Sequence, residues 1–141
     1  MNIGLDIHGV IDRHPVLFKN LTQAWNNAGH YIHIITGQEW SKASKAVRDS
    51  GVIYHEHFSI VDHHQAVGTD MWQDEKKTWW MNEETWNESK GNYAKDWDIK
   101  IHFDDSLKYA PAFPNDCMFI HVPKYDFEKI FKIVLDIDME L

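Results

Sequence analysis

Apolar residues recur at two spacings along this chain, and the alternation between them predicts its elements. Residues 1–6 (MNIGLD) form a short apolar run that ends at a carboxylate and reads as a strand. Residues 8–14 read as a loop or tight turn around Gly9, and Pro15 suits a first helical position. Leu17, Leu21, Ala24 and Ala28 then recur at helical spacing with Trp25 beside them, and Gly29 supplies the stop. Residues 31–35 (YIHII) read as a second strand ending at Thr36-Gly37. A helix over residues 38–50 follows, with Trp40, Ala43 and Val47 on one face and Gly51 as terminator. Residues 52–60 are β-rich in composition, residues 99–103 (IKIHF) run into Asp104-Asp105, and residues 118–122 (MFIHV) form the last strand. Phe127, Ile130, Phe131 and Val134 mark an amphipathic helix at the C-terminal end. Residues 62–89 show no clear period. That stretch is polar and Trp-rich with a turn at Gly68-Thr69-Asp70, and predicts a short hairpin and a loop before a short helix over residues 91–97.

Strands alternating with helices argue for an α/β fold, a Rossmann-like three-layer α/β/α sandwich with a central parallel sheet. In such sheets ligands bind beyond the carboxyl ends of the strands. Asp6, Thr36, Asp104 and Asp105 all fall there.

Length and composition narrow the picture. The 141 residues fit one domain spanning 1–141, with a small Trp- and His-rich insert within about residues 52–89. Apolar residues make up 43% of the chain, enough for a core. A formal net charge of −8 disfavours an extensive nucleic-acid-binding surface. An acidic protein still handles a phosphorylated ligand if a divalent cation carries the local positive charge. The single cysteine, Cys117, excludes an intrachain disulfide and a Cys-rich zinc site, and its apolar neighbours make it a small buried hydrophobe. No signal-like or membrane-spanning apolar run is present, so the expectation is a cytoplasmic protein with no membrane partner.

Asp6 is placed to act as nucleophile or metal ligand. Asp104 and Asp105 are adjacent acids after another apolar strand, and such pairs need a cation. Mg²⁺ takes one or two carboxylates with waters and substrate phosphate, which this set provides. Thr36 and Gly37 offer a hydroxyl and an unhindered N–H to phosphate oxygens, and Lys90 a point charge, with Lys95 and Lys100 as nearby competitors. Taken singly, each reads as a turn, a helix cap or a surface charge.

In order, Ile3-Gly4-Leu5-Asp6-Ile7-His8-Gly9-Val10, Ile34-Ile35-Thr36-Gly37, Lys90 and Ile101-His102-Phe103-Asp104-Asp105-Ser106 resemble the four motifs of the haloacid-dehalogenase-like (HAD-like) superfamily over about residues 1–122. The resemblance implies a Mg²⁺-dependent phosphatase in which Asp6 forms an aspartyl-phosphate. The His8 backbone carbonyl and Asp104 or Asp105, with Asp105 favoured, would hold the metal beside Asp6. Thr36 and Lys90 would bind the phosphoryl group, and Lys90 would also pair with Asp104. The substrate would be a phosphorylated small molecule, a nucleotide or a nucleic-acid end. No full cap domain fits this chain, only a small insert, and the oligomeric state stays open. One departure from the family matters: His8 stands where family phosphatases carry their acid/base Asp. An imidazole can serve that purpose near neutral pH. The alternative is a metal-binding protein without turnover.

Two further clusters stand outside these motifs. His55, His57, His63 and His64 fall within ten residues, beside Glu56 and Asp62, and offer a third reading as a His-cluster metalloprotein. Trp72, Trp79, Trp80 and Trp86 either pack an insert onto the core or stack on a base or sugar. Asp12, Arg13 and His14 follow the first motif, where Arg13 reads equally as a substrate contact and a solvated loop charge.

Overall fold

The computed structural model describes residues 1–129. Along the chain it runs β1 (Asn2–Leu5), α1 (Pro15–Asn27), β2 (Tyr31–Thr36), α2 (Trp40–Ser50), β3 (Glu56–Ser59) and α3 (Ile60–Ala66). The hairpin β4 (Met71–Gln73) and β5 (Trp79–Met81) follows, then α4 (Glu83–Asp96), β6 (Ile99–Asp104), a 3-10 helix (Leu107–Ala112) and β7 (Met118–His121). Five strands form one parallel sheet in the order β3-β2-β1-β6-β7. The fold is thus the expected Rossmann-like α/β/α sandwich. The strand order reverses between β1 and β6, which is the switch point where such sheets bind ligands.

Each face of the sheet buries its own core. Ile3, Leu5, Ile32, Ile34 and Phe103 meet Leu17, Phe18 and Val47 of α1 and α2 on one side. Ile35 and Ile99 meet Ile60, Met81, Ala94 and the 3-10 helix residue Tyr109 on the other. Cys117 belongs to this second core, and burial pushes its thiol up to about 11. Among the described residues no helix is long and apolar enough to cross a membrane.

The segment without a clear period holds one helix that the pattern reading misses and the first half of another that it starts too late. Residues 60–66 are α3, not strand or loop: Ser59 ends β3 and at once caps the helix, its hydroxyl accepting the Asp62 N–H at 3.1 Å. Helix α4 starts at Glu83 rather than at residue 91, capped by Asn82, whose side-chain oxygen accepts the Thr85 N–H at 3.0 Å. Its buried residues are Ser89, Lys90, Gly91 and Ala94, so no apolar stripe announces it. The short hairpin was expected and is β4–β5. The C-terminal helix expected from Phe127 onward falls, past Lys129, outside the described residues; Phe127 itself is buried against Phe18 and Phe103.

The sheet also buries an imidazole in its neutral form. His33 on β2 has Nδ1 2.8 Å from the Tyr93 hydroxyl and Nε2 3.1 Å from the Asn2 side-chain oxygen. A neutral ring with its proton on Nε2 satisfies both contacts. Burial, followed by the charge of nearby His55, lowers its pKa to about 4. The unfolded chain therefore binds this proton more readily, and folding stability must fall as pH drops from about 6.5 towards 4. The expected outcome is a falling midpoint of urea unfolding between pH 7 and pH 5, with a shallower pH slope in His33→Gln.

Candidate active site at the carboxyl edge of the sheet

Asp6 leaves the end of β1 in extended conformation, and its N–H donates to the Phe103 carbonyl of β6 at 3.0 Å. The pairing of Leu5 with Phe103 and of Leu5 with Ile34 brings Asp6 level with Asp104 on one neighbour and beside Thr36 on the other. The backbone then makes a wide turn over Ile7–Ile11, closed by the Asp12 N–H on the Ile7 carbonyl. Gly9 sits in that turn at φ +76, and a Cβ there would lie 2.2 Å from Asp105 Oδ2. Glycine is required at this position twice over, for its backbone angle and for the room it leaves Asp105.

One ammonium ties the site together. Lys90, 1% exposed, reaches from α4 to place Nζ 2.8 Å from Asp104 Oδ2 and 3.2 Å from Asp6 Oδ1. The same Asp104 oxygen faces His102 Nε2 at 3.0 Å, and Oδ1 accepts the Ser106 N–H at 3.0 Å. Burial alone would raise the Asp104 pKa, yet the bonds from His102 and Lys90 hold it well below the carboxylate range. Burial lowers the His102 pKa, so the ring is neutral and donates through Nε2. Burial likewise opposes charge on Lys90, but Asp6 and Asp104 outweigh it and push the ammonium up. Asp6 is shifted upward, by burial and by Asp104, with Lys90 only partly offsetting them.

The charges do not cancel. Once Asp6 ionises, Asp6 and Asp104 together exceed Lys90 by one negative charge, with the Asp105 carboxylate beside them at the rim. Oxygens of Asp6, Asp104 and Asp105 lie within 4.8 Å of one another. These are hard oxygen donors of the type that suits Mg²⁺. Asp104 already accepts three bonds, whereas no described residue donates to the Asp105 carboxylate. Asp6 and Asp105 are therefore the carboxylates able to hold a cation, with Asp104 fixed behind them.

The other expected site residues are also gathered at this edge. Thr36 is fully buried at the end of β2 and its Oγ1 accepts the Gln38 N–H at 3.3 Å, while no described residue accepts its own O–H. The His8 side chain is 61% exposed. Its Nδ1 lies 3.2 Å from Asp12 and its Nε2 2.9 Å from the Gln38 side-chain oxygen. With an acceptor at each nitrogen the ring favours its cationic form. Partial burial opposes this, but the bonds to Gln38 and Asp12 and the charges of Asp12 and Asp6 prevail and raise the pKa.

Other candidates lie elsewhere. Lys100 pairs with Asp98 and Asp116, and Lys95 is exposed near the end of α4, so Lys90 is the lysine of this edge. The four histidines do not converge. His55 bonds the Ile32 N–H and Asn26, His57 stacks on Trp40, His63 packs against Phe58, and His64 bonds Thr69 and Ser89. His14 is buried against Phe127 with Nδ1 2.9 Å from Glu128, and Arg13 is exposed. Sequence reasoning missed His102, Gln38 and Tyr109, whose ring lies 4.3 Å from Lys90 Nζ. His102 left a signal, since two residues before Asp104 on a strand means the same face, and so did Gln38, which directly follows the strand end at Thr36-Gly37.

Removing Lys90 should leave two facing carboxylates without their counter-ion. Lys90→Met is expected to lower unfolding stability by about 3–5 kcal/mol. Asp6→Asn should do the reverse. Because the raised Asp6 pKa means that ionisation at neutral pH costs the folded state, the uncharged amide should leave the melting temperature in EDTA unchanged or higher. A Lys90→Met protein as stable as wild type in urea unfolding would contradict this account of the network.

No protein-family model matches the chain, and no curated protein matches it, so the reading of this edge rests on its geometry and its motifs.

Proposed function

We propose that the protein is a HAD-like, Mg²⁺-dependent phosphatase that hydrolyses phosphate monoesters through an aspartyl-phosphate on Asp6. The observation that carries this reading is the Asp6–Lys90–Asp104 network at the switch point, with the oxygens of Asp105 within 4.8 Å. Its excess negative charge suits a divalent cation, and its donors suit Mg²⁺. Asp6, Asp105 and the His8 backbone carbonyl would hold Mg²⁺, which supplies charge neutralisation at the phosphoryl oxygens.

The protein's own groups account for the remaining steps. An Asp6 carboxylate oxygen attacks phosphorus, and the bond from phosphorus to the alcohol oxygen breaks. The His8 imidazolium gives its proton to the leaving oxygen. Water then attacks the phosphoryl group and passes a proton back to His8, and the bond to Asp6 breaks to release phosphate. Lys90 holds Asp6 in line and, with the Thr36 hydroxyl, offsets charge on the transferring group.

A second reading has its own support. Both His8 nitrogens face Asp12 and Gln38, and this engagement favours a protein that binds metal and phosphate without turnover.

Phosphate release from an aryl phosphate, an alkyl phosphate and a nucleotide panel, with Mg²⁺ or EDTA, separates these. The phosphatase reading expects Mg²⁺-dependent release that falls at least about a thousandfold in Asp6→Asn. His8→Ala should cost about a hundredfold on the alkyl ester and less on the aryl ester, whose leaving group needs less protonation. No release from folded protein that binds Mg²⁺ would favour the second reading. Release indifferent to Asp6→Asn would overturn the first.

A further inference from the structure

The turn of the β4–β5 hairpin shares a cavity with His8 and Gly37, which follow the ends of β1 and β2, and it is held by its own hydrogen bonds. Asp74 Oδ1 accepts the N–H groups of Lys76 and Thr78 at 2.9 and 3.0 Å, and Oδ2 accepts Trp80 Nε1 at 2.9 Å. Lys77 sits at φ +62, with its N–H on the Asp74 carbonyl and its own carbonyl accepting from Gln73. The hairpin is anchored below by buried Met81 and by Trp79, whose Nε1 donates to Glu39 at 3.0 Å.

This turn presents Lys76 and Lys77 to a cavity of about 340 Å³ that also takes in His8, Lys42, Trp79 and Trp86. The one carboxylate lining it, Glu39, pairs with Lys42 at 2.7 Å. Asp74 is spent on the turn, and neither Lys76 nor Lys77 has an ion-pair partner among the described residues. Among the residues that line the cavity, Lys42, Lys76 and Lys77 outnumber the carboxylate Glu39, while the Asp74 and Glu75 carboxylates of the same turn do not line it. Trp86 lies against the end of β2, where a Cβ on Gly37 would meet its ring at 2.8 Å. Trp79 and Trp86 also line an adjoining aromatic cavity of about 480 Å³ with Tyr109.

We propose that this cavity is a leaving-group subsite for a nucleotide that carries a second phosphate besides the one transferred at Asp6. Lys76 and Lys77 take the second phosphate as point charges, and the indoles of Trp79 and Trp86 take the flat base. The distinction between substrates rests on the phosphatase reading, but the subsite itself is testable by binding alone.

The experiment measures binding of a nucleoside 3′,5′-bisphosphate, a nucleoside 5′-diphosphate and the matching 5′-monophosphate by tryptophan fluorescence, alongside their turnover. Wild type is compared with Lys76→Gln/Lys77→Asn, asparagine being tolerated at positive φ. Lys95→Gln/Lys124→Gln, remote from the cavity, controls for net charge. The expected result is at least tenfold tighter binding of one doubly phosphorylated nucleotide over the monophosphate. That preference should vanish in the turn variant and persist in the control. Which of the two wins fixes where the second phosphate sits. A preference present without any turnover would sustain the subsite while sinking the phosphatase reading. No such preference, with or without turnover, or a preference unmoved by the turn variant, would overturn the subsite.

Discussion

Two carboxylates meet where the sheet reverses its strand order, and they can be buried there only because Lys90 is buried between them. Much of the surrounding sequence follows from that constraint. Helix α4 must cross the sheet with a small and polar face inward, so Ser89, Lys90, Gly91 and Ala94 are its buried residues. The helix comes so close to the 3-10 segment that a Cβ on Gly91 would lie 2.3 Å from the Ala112 carbonyl oxygen. On the strand side, Gly4 has no side chain because the His102 ring lies across it, 2.7 Å from where a Cβ would be. These choices are poor for helix and strand propensity and good for holding one ion triad in place.

The triad divides the labour among acids that look alike in sequence. Asp104 is locked by Lys90, His102 and the Ser106 N–H and acts as a fixed counter-charge. Asp6 is the strained partner, its carboxyl pushed upward because Lys90 only partly offsets burial and Asp104. Asp105 stands at the rim with no donor from the described residues, in space that Gly9 leaves open. Stability is thus given up at Asp6, the residue proposed as nucleophile. Beside the site, Asp74 organises the hairpin turn so that Lys76 and Lys77 line a cavity shared with His8.

The sheet was legible because its strands are short apolar runs that end at polar residues. Asp6, Thr36, Asp104 and Asp105 could be placed at one edge from that pattern alone. Lys90 could be named but not located, since α4 buries its polar side and leaves no apolar period to read. Helix α3 was hidden because Ser59 closes a strand and caps a helix within one residue. The capping pairs Ser59 with Asp62 and Asn82 with Thr85 were present in the sequence, and weighting them above hydrophobic period would have found both helices. Gln38 directly follows the strand end at Thr36-Gly37 and could have been placed by the same pattern, whereas Tyr109 reaches the edge through tertiary packing, for which no local spacing gives a sign.

A crystal of the protein soaked in Mn²⁺ and measured at an anomalous wavelength would test the site most directly. The expected result is one strong anomalous peak bounded by Asp6, Asp105 and the His8 carbonyl, with Asp104 still bonded to Lys90 and His102. A well-ordered site without that peak, or with Mn²⁺ bound instead among His55, His57, His63 and His64, would contradict it.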